Sequence, residues 1–489
     1  MKTTALILVM LLVSAASASA TLDSLWMRTY GGAENDGFRS VINAGDGGAV
    51  AVGYTYSSGA PNSDVFAVKV DDNGNTLWTR AYGSDGMDYG CGVCETADHC
   101  FVIAGYTMSF GAGREDLYLL KIDASGDTVW TRTYGGAGPD EGRAVCSTHD
   151  GYVVVAGSTD SYGQGENDLY LLKVDASGDT VWTRTFGSSR FDWGQSVCET
   201  QDSCYLVCGT SDSATLELDI YLVKVDPDGN LLWENRYGET GYNSPDWGMD
   251  VALVADTALV VAGYVAIEVR DPSDGCLLTV DLDGGQLGSR KWRNDYYQYF
   301  NSVCATHDSG QVFVGATKIV ADQSNDLLLL KRLPSAGFVD ILTLGGAGND
   351  WGSSVVEAHP GFYLVAGQTG SYGAGGFDGW LIAMREPDAA AGGGPYDRGA
   401  FLAAPSPNPL SAATALRFGL TAPGSVRLAV YDVAGRRVAL LHDGYRGAGE
   451  HTLIWNGRDD AGRRVSPGVY LARLEAGEFS TAAKVVVLK

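Results

Sequence analysis

Long apolar runs are scarce in this chain. Past residue 20 no stretch of about 18 consecutive apolar residues occurs, which excludes a membrane-spanning helix. No segment shows a helical period either, which argues against any α-class fold. Basic residues are outnumbered, 34 Lys and Arg against 59 Asp and Glu, for a formal charge of −25. An acidic surface repels phosphate backbones, so nucleic acid is excluded as a partner. The order Ser-His-Asp, the motif HExxH and isolated carboxylate pairs are all missing. The expectation is a protein without catalytic residues, metal or cofactor.

What the chain has in abundance is itself. An anchor valine recurs at Val41, Val93, Val145, Val197, Val251, Val303 and Val355, in steps of 52, 52, 52, 54, 52 and 52 residues. A glycine keeps the same beat from Gly53 and Gly105 to Gly367, and an aspartate from Asp64 and Asp116 to Asp378. The third unit shows four strand-like runs: a, Ala144 to Thr148; b, Tyr152 to Thr159; c, Leu169 to Val174; d, Thr180 to Phe186. β-branched and aromatic residues fill them, and Gly, Asp and Asn clusters bound them. Four strands per repeat of this length read as propeller blades, because a lone four-stranded sheet cannot bury both faces and a ring of sheets can.

The ends of the repeat region predict closure. Leu25 to Gly31 reads as a strand d with no a, b or c before it, and the seventh unit stops after strand c, Trp380 to Met384. The early strand should complete the last blade and remove exposed edges. The expected fold is all-β: a seven-bladed β-propeller over residues 21–386, its N-terminal strand closing the last blade, followed by a small Ig-like β-sandwich. The recurring Asp-x-Gly, Ser-Val, Ala-Gly-x-Thr and Asp-x-Tyr-x-x-Lys-x-Asp elements resemble the bacterial secreted β-propeller repeat family. That resemblance implies the fold and leaves activity open.

Lys2, the run Ala5 to Val13 and the small residues Ala18-Ser19-Ala20 predict a secretory signal peptide over residues 1–20. Residues 387–404, rich in Ala, Gly and Pro, read as a linker. Residues 397–489 hold 12 Lys and Arg against 8 Asp and Glu, so the negative charge belongs to the repeats. Six short strand runs within 405–489 suggest the sandwich. Pro407-Asn408-Pro409, Val430-Tyr431-Asp432, Gly449-Glu450-His451, Trp455-Asn456-Gly457 and Ser466-Pro467-Gly468-Val469-Tyr470 resemble the C-terminal sorting domain of type IX secretion cargo, and more distantly the Ig-like domain of flagellar hook-capping proteins. Ser406 and Leu410 stand where that sorting family usually has Tyr and Phe. The resemblance implies the secretion machinery as a partner, and an address that is secreted or on the exterior of the outer membrane.

Nine cysteines fall in this oxidising context. Cys94, Cys146, Cys198 and Cys304 follow the anchor valine, in a slot other units fill with Ile42, Ala252 and Val356, so they read as small apolar side chains. Cys94 with Cys100, and Cys198 with Cys204, flank a–b turns and are candidate hairpin disulfides. His149, His307 and His359 share one repeat position and are spread around the ring, which keeps them from converging on one metal. Stretches such as Asp123-Ala-Ser-Gly-Asp127 are c–d hairpin turns rather than calcium loops.

The candidate binding residues lie four places before the valine: Tyr89, Trp193, Trp247, Tyr299 and Trp351, with Glu141 in the third unit. They enter the innermost strand on the face of the long loops, where aromatic rings beside carboxylates suit a sugar or peptide. The competing reading is inter-blade packing, which full burial of the three tryptophans would establish. Glu141 should mark a solvent-accessible polar gap. The leading functional expectation is a secreted or surface binding module for a glycan or protein ligand. The alternatives are a structural surface repeat protein and a polysaccharide-acting enzyme.

Overall fold

In a computed structural model of the chain, the described residues are 22–212, 218–238, 245–254, 257–266, 273–292, 297–318, 324–333 and 337–386 of the repeats. Of the C-terminal part they are 401–402, 410, 414–420, 424–432, 436–446, 449–460, 462–476 and 479–487. The signal peptide assigned to residues 1–20 lies outside them, as does most of the linker. Among the described residues no helix is long and apolar enough to cross a membrane.

The repeats form seven four-stranded antiparallel sheets. In blade 3 the strands are a, Asp140–Ser147; b, Val153–Thr159; c, Asp168–Val174; d, Thr180–Phe186. Strand a begins four residues before the sequence-based start at Ala144, because a β-bulge lets pairing continue past Gly142. Strands b and c are buried along their whole length. Neighbouring blades cover both of their faces, which is why they read as continuous apolar runs rather than alternating ones. Each fully buried Val or Leu there contributes about 1.5–3 kcal/mol. Strand d is outermost, and none of its residues is fully buried.

The seventh sheet is built from both ends of the repeat region. Asp23–Tyr30 pairs with Asp378–Arg385, Thr29 opposite Trp380 and Tyr30 opposite Gly379. Strand a of each blade packs against strand a of the next, and blade 7 against blade 1. That last seam is hydrogen-bonded from Val41 N to Ser354 Oγ (3.2 Å), from Asn43 Nδ2 to the Ala358 carbonyl (3.2 Å) and from Tyr54 OH to Gln368 Oε1 (2.9 Å).

A second seam runs around the rim. Trp26, Trp78, Trp130, Trp182 and Trp233 of successive d strands each donate the indole N–H to a carbonyl in the c–d turn of the following blade, at 3.0–3.2 Å. The turn glycine there holds a positive φ, 80° at Gly178, and a Cβ would press on Arg132 and Trp130. The Asp of each turn caps its own backbone; Asp123 Oδ1 accepts from Ser125 N and Asp127 N. These turns are Asx turns doubling as acceptors for a neighbour. Strand c contributes a buried lysine whose ammonium reaches an aspartate of the a–b turn: Lys69 to Asp46, Lys121 to Asp98, Lys173 to Asp150, Lys224 to Asp202 and Lys331 to Asp308.

The two candidate disulfides are not formed. Cys94, Cys100, Cys198 and Cys204 are free thiols. Cys94 stands opposite Val102 and Cys198 opposite Leu206, so each partner cysteine is displaced by two residues along the hairpin. Diagonal neighbours of that kind lie roughly 7–8 Å apart, beyond the Cα separation a disulfide spans. The Cys94, Cys198 and Cys304 side chains instead fill the apolar layers between blades, and burial pushes their thiols up to about 12.

The C-terminal part is a sandwich of a three-stranded and a four-stranded sheet. Its first strand, Phe401–Leu402, pairs with Gly419 and Phe418, inside the stretch the sequence marks as linker. Trp455, Phe418, Leu428, Val430 and Leu474 are buried in its core. Leu410 is buried with them and its N–H bonds to the Val486 carbonyl.

Candidate functional site

The site begins with a backbone irregularity repeated seven times. Where strand a pairs with strand b, the register slips by one residue, between Gly90 and Gly92, Gly142 and Ala144, Gly194 and Ser196, and their equivalents in the other blades. The extra residue of a bulge has no ladder partner, and its side chain is re-aimed. Here it turns to the axis. Arg39, Cys91, Arg143, Gln195, Met249, Asn301 and Ser353 all line one central channel of about 410 Å³. The bulge also explains the repeated glycine of strand b: a Cβ at Gly157 would lie 1.8 Å from the Glu141 carbonyl oxygen, and one at Gly105 1.7 Å from that of Tyr89.

Just beyond the bulges lies a ring of small residues with one acid. Ser302 Oγ accepts the N–H of Val355 (3.3 Å), and Ser354 Oγ that of Val41. Asp250 takes four hydrogen bonds, from Ser196 Oγ (2.6 Å), Ser302 Oγ (2.8 Å), Val251 N (2.8 Å) and Val303 N (2.9 Å). Burial raises its pKa, against those bonds, which lower it. On the other side of the channel, burial raises the Cys91 thiol, with Arg143 and Arg39 pulling it back.

Two residues nearer the long loops stand the six candidates named from the sequence. All are half-buried: Tyr89, Trp193, Trp247, Tyr299 and Trp351 are neither free nor enclosed. They touch rings from the next blade. Trp193 and Trp247 stack at 5.7 Å, and Trp247 continues onto Tyr264 at 5.8 Å. Tyr264 meets Tyr299 edge-on at 6.1 Å, and Tyr299 takes a hydrogen bond from Trp351. A shorter arc joins Tyr54, Tyr89 and Tyr106, at 5.0 Å for each step. The rings therefore serve packing between blades and keep part of their surface open. Glu141 falls between the arcs. It is not an open gap, because Arg143 Nη2 pairs with it at 2.5 Å and leaves its side chain 21% exposed.

Tyr54, Tyr106 and Tyr264 escaped the sequence reading. They lie on strand b, directly opposite Gly37, Tyr89 and Trp247, so only the register brings them into the collar. The bulge residues escaped it too. Their signal was present as the place two before the valine, where six residue types occur in seven units and only arginine appears twice. The aspartates that open strand a act as builders: Asp140 accepts from Thr159 Oγ1, Ser161 Oγ and Gly136 N, tying strands and loops of its blade. His149 and His307 bond to Glu199 and Glu357 of the following blade. Among the described residues no group of three His, Cys, Asp or Glu side chains is placed to hold a metal.

Residues 410–478 match the FlgD Ig-like domain. The regulatory protein FlaEY of Caulobacter vibrioides is 26% identical over an aligned length of 328, and the match covers 59% of this chain and 33% of that protein. The chain thus spans about a third of this curated relative. Among solved structures, PorZ, described as an essential bacterial surface component of the type-IX secretion system of Porphyromonas gingivalis, aligns at a TM-score of 0.44 and 12% identity, over 94% of this chain and 60% of its own. The Pan2 WD40 domain of Neurospora crassa aligns at 0.45 and 10% identity, over 75% of this chain and 98% of its own. The C-terminal module of this chain is similar to the Ig-like domain of hook-capping proteins, and its repeats are similar to propellers.

Proposed function

We propose that this protein is a secreted or surface-displayed binding module that holds a glycan or protein ligand at the collar and channel of its propeller. One observation carries the reading. Seven bulges direct side chains of six different types into a single channel beneath half-exposed aromatic rings, in a repeat whose anchor valine, glycine and aspartate recur from blade to blade. A scaffold without a ligand has no use for that concentration of unlike groups on its axis. The motifs from Pro407 to Tyr470 support export through the C-terminal domain, residues 405–489, by a type IX route. The reading is of binding without turnover.

A glycan array probed with the full chain tests it. Signal on a defined set of sugars, lost in Trp193→Ala and Trp351→Ala while both variants stay folded, is the expected result. Unchanged array signal in the folded variants would overturn the collar as the site. Release of reducing ends from an incubated polysaccharide would overturn binding without turnover.

A further inference from the structure

We propose that the channel wall built by blades 1 to 3 receives the carboxylate of an acidic sugar at the end of a glycan, held by Arg39 and Arg143 beside the rings of Tyr89 and Tyr106. The proposal rests on the collar reading above and names the ligand class for it.

Two of the seven bulge residues are arginines, and both stand on the same side of the channel. Between them blade 2 contributes Cys91 and Gly92, the smallest pair on that wall, which leaves room in front of the guanidinium groups. The Cys91 thiol feels both charges, with the Glu141 carboxylate acting against them. Neither arginine is saturated. Arg39 is exposed to the channel and makes no hydrogen bond or ion pair among the described residues; its guanidinium lies 5.7 Å from the centre of the Tyr54 ring. Arg143 spends Nη2 on Glu141, while its buried Nε has no partner. A buried donor without an acceptor is rare in a folded protein and points to a group that fills the place. Planar guanidinium donors match the two oxygens of a carboxylate.

The surroundings narrow the class further. The chain as a whole carries −25, so a polyanion lying across the propeller meets repulsion over most of its length. A single carboxylate inserted into the channel meets Arg39 and Arg143 on one wall, where Glu141 is already paired with Arg143, and Asp250, engaged by four hydrogen bonds, on the other. The facing wall offers Ser196, Asn301, Ser302 and Gln195, neutral hydrogen-bonding groups suited to hydroxyls, and Asp250, whose oxygens are already engaged. Tyr89 and Tyr106 stack at 5.0 Å and 15° and both line the channel, presenting aromatic surface to a sugar ring. The volume, about 410 Å³, falls in the range of small-molecule sites.

Calorimetric titration of the full chain tests the proposal, with a glucuronate-terminated disaccharide, its methyl ester, a neutral glucose-terminated disaccharide, and one short peptide with free and with amidated C-terminus. The acid is expected to bind at least about tenfold more tightly than the ester, the size of one lost charge-assisted contact. Arg39→Gln and Arg143→Gln should each abolish that preference with an unchanged melting temperature, and Arg143→Lys should keep part of it. If Arg143→Gln fails to fold, exposed Arg39→Gln carries the test. Equal affinity for acid and ester overturns the carboxylate assignment and leaves the collar reading standing. Failure of the acidic disaccharide to bind overturns the proposal, while the collar reading is judged separately by the glycan array and its tryptophan variants. A free-carboxyl peptide that binds more tightly than the acidic disaccharide overturns the glycan assignment in favour of a chain terminus.

Discussion

The rim and the channel of this propeller are built from the same seven repeats and behave in opposite ways. At the rim one contact is copied: a strand-d tryptophan donates to a turn carbonyl of the next blade in each of blades 1 to 4 and again from the N-terminal strand of blade 7. At the channel only arginine occurs twice; two arginines, a cysteine, a methionine and three different polar side chains share one structural position. Recurrence marks what holds blades together. Its loss, at a position the backbone keeps constant, marks where the molecule meets something other than itself.

The sharpest way to break the rim is where its two chain-distant ends meet, in the sheet of blade 7. Removing residues 22–30 strips blade 7 of its fourth strand, exposes the Asp378–Arg385 edge and takes away the Trp26 and Tyr30 bonds to the blade 1 turn. Aggregation or a fall of well over 10 °C in melting temperature is expected, of the size that several kcal/mol produces. A truncated protein that melts with the parent would show that the ring does not depend on this strand.

A smaller effect separates the bulge from the side chain it presents. Gly157→Ala puts a Cβ 1.8 Å from the Glu141 carbonyl, so strand b must move or the bulge must flatten. We expect a loss of about 2–4 kcal/mol by denaturant titration, within the range of backbone strain and core overpacking. A neutral Gly157→Ala would mean that the bulge tolerates wider strand spacing.

The smallest effects sharpen the comparison itself. Trp130→Phe keeps a ring against the neighbouring turn but loses the N–H bond to the Ala176 carbonyl, at an expected cost of about 1 kcal/mol. Gln195→Ala, in the channel, should change stability by less than about 0.5 kcal/mol, because its side chain makes no hydrogen bond among the described residues and borders open channel. Ligand affinity should show the reverse order, with Trp130→Phe silent. Equal stability losses for the two would erase the distinction between rim and channel.

How far the site could be read in advance follows from where its information is stored. Tyr89, Trp193, Trp247, Tyr299 and Trp351 were visible because they repeat, and they turned out half-buried and stacked on one another. Tyr54 and Tyr106 join the same collar from strand b, and nothing in their spacing announces it. The cysteine pairs show a related difference: six residues apart across a turn says they are near, whereas Cys94 opposite Val102 says they are offset.

The sequence by itself determined the repeat, the four strands of each unit, the turns between them and the early strand that completes the last sheet. Those features rest on local chemistry and on period, since apolar runs need covering and glycine, aspartate and asparagine need turns. The tertiary structure alone decided which side chains face the axis. A bulge adds one residue to a strand without altering its composition, and its effect on Arg39, Cys91 and Arg143 depends on pairing with strand b and on the ring that brings seven such strands together. Register and closure arise from contacts between residues far apart in the chain, and a repeat period carries no record of them.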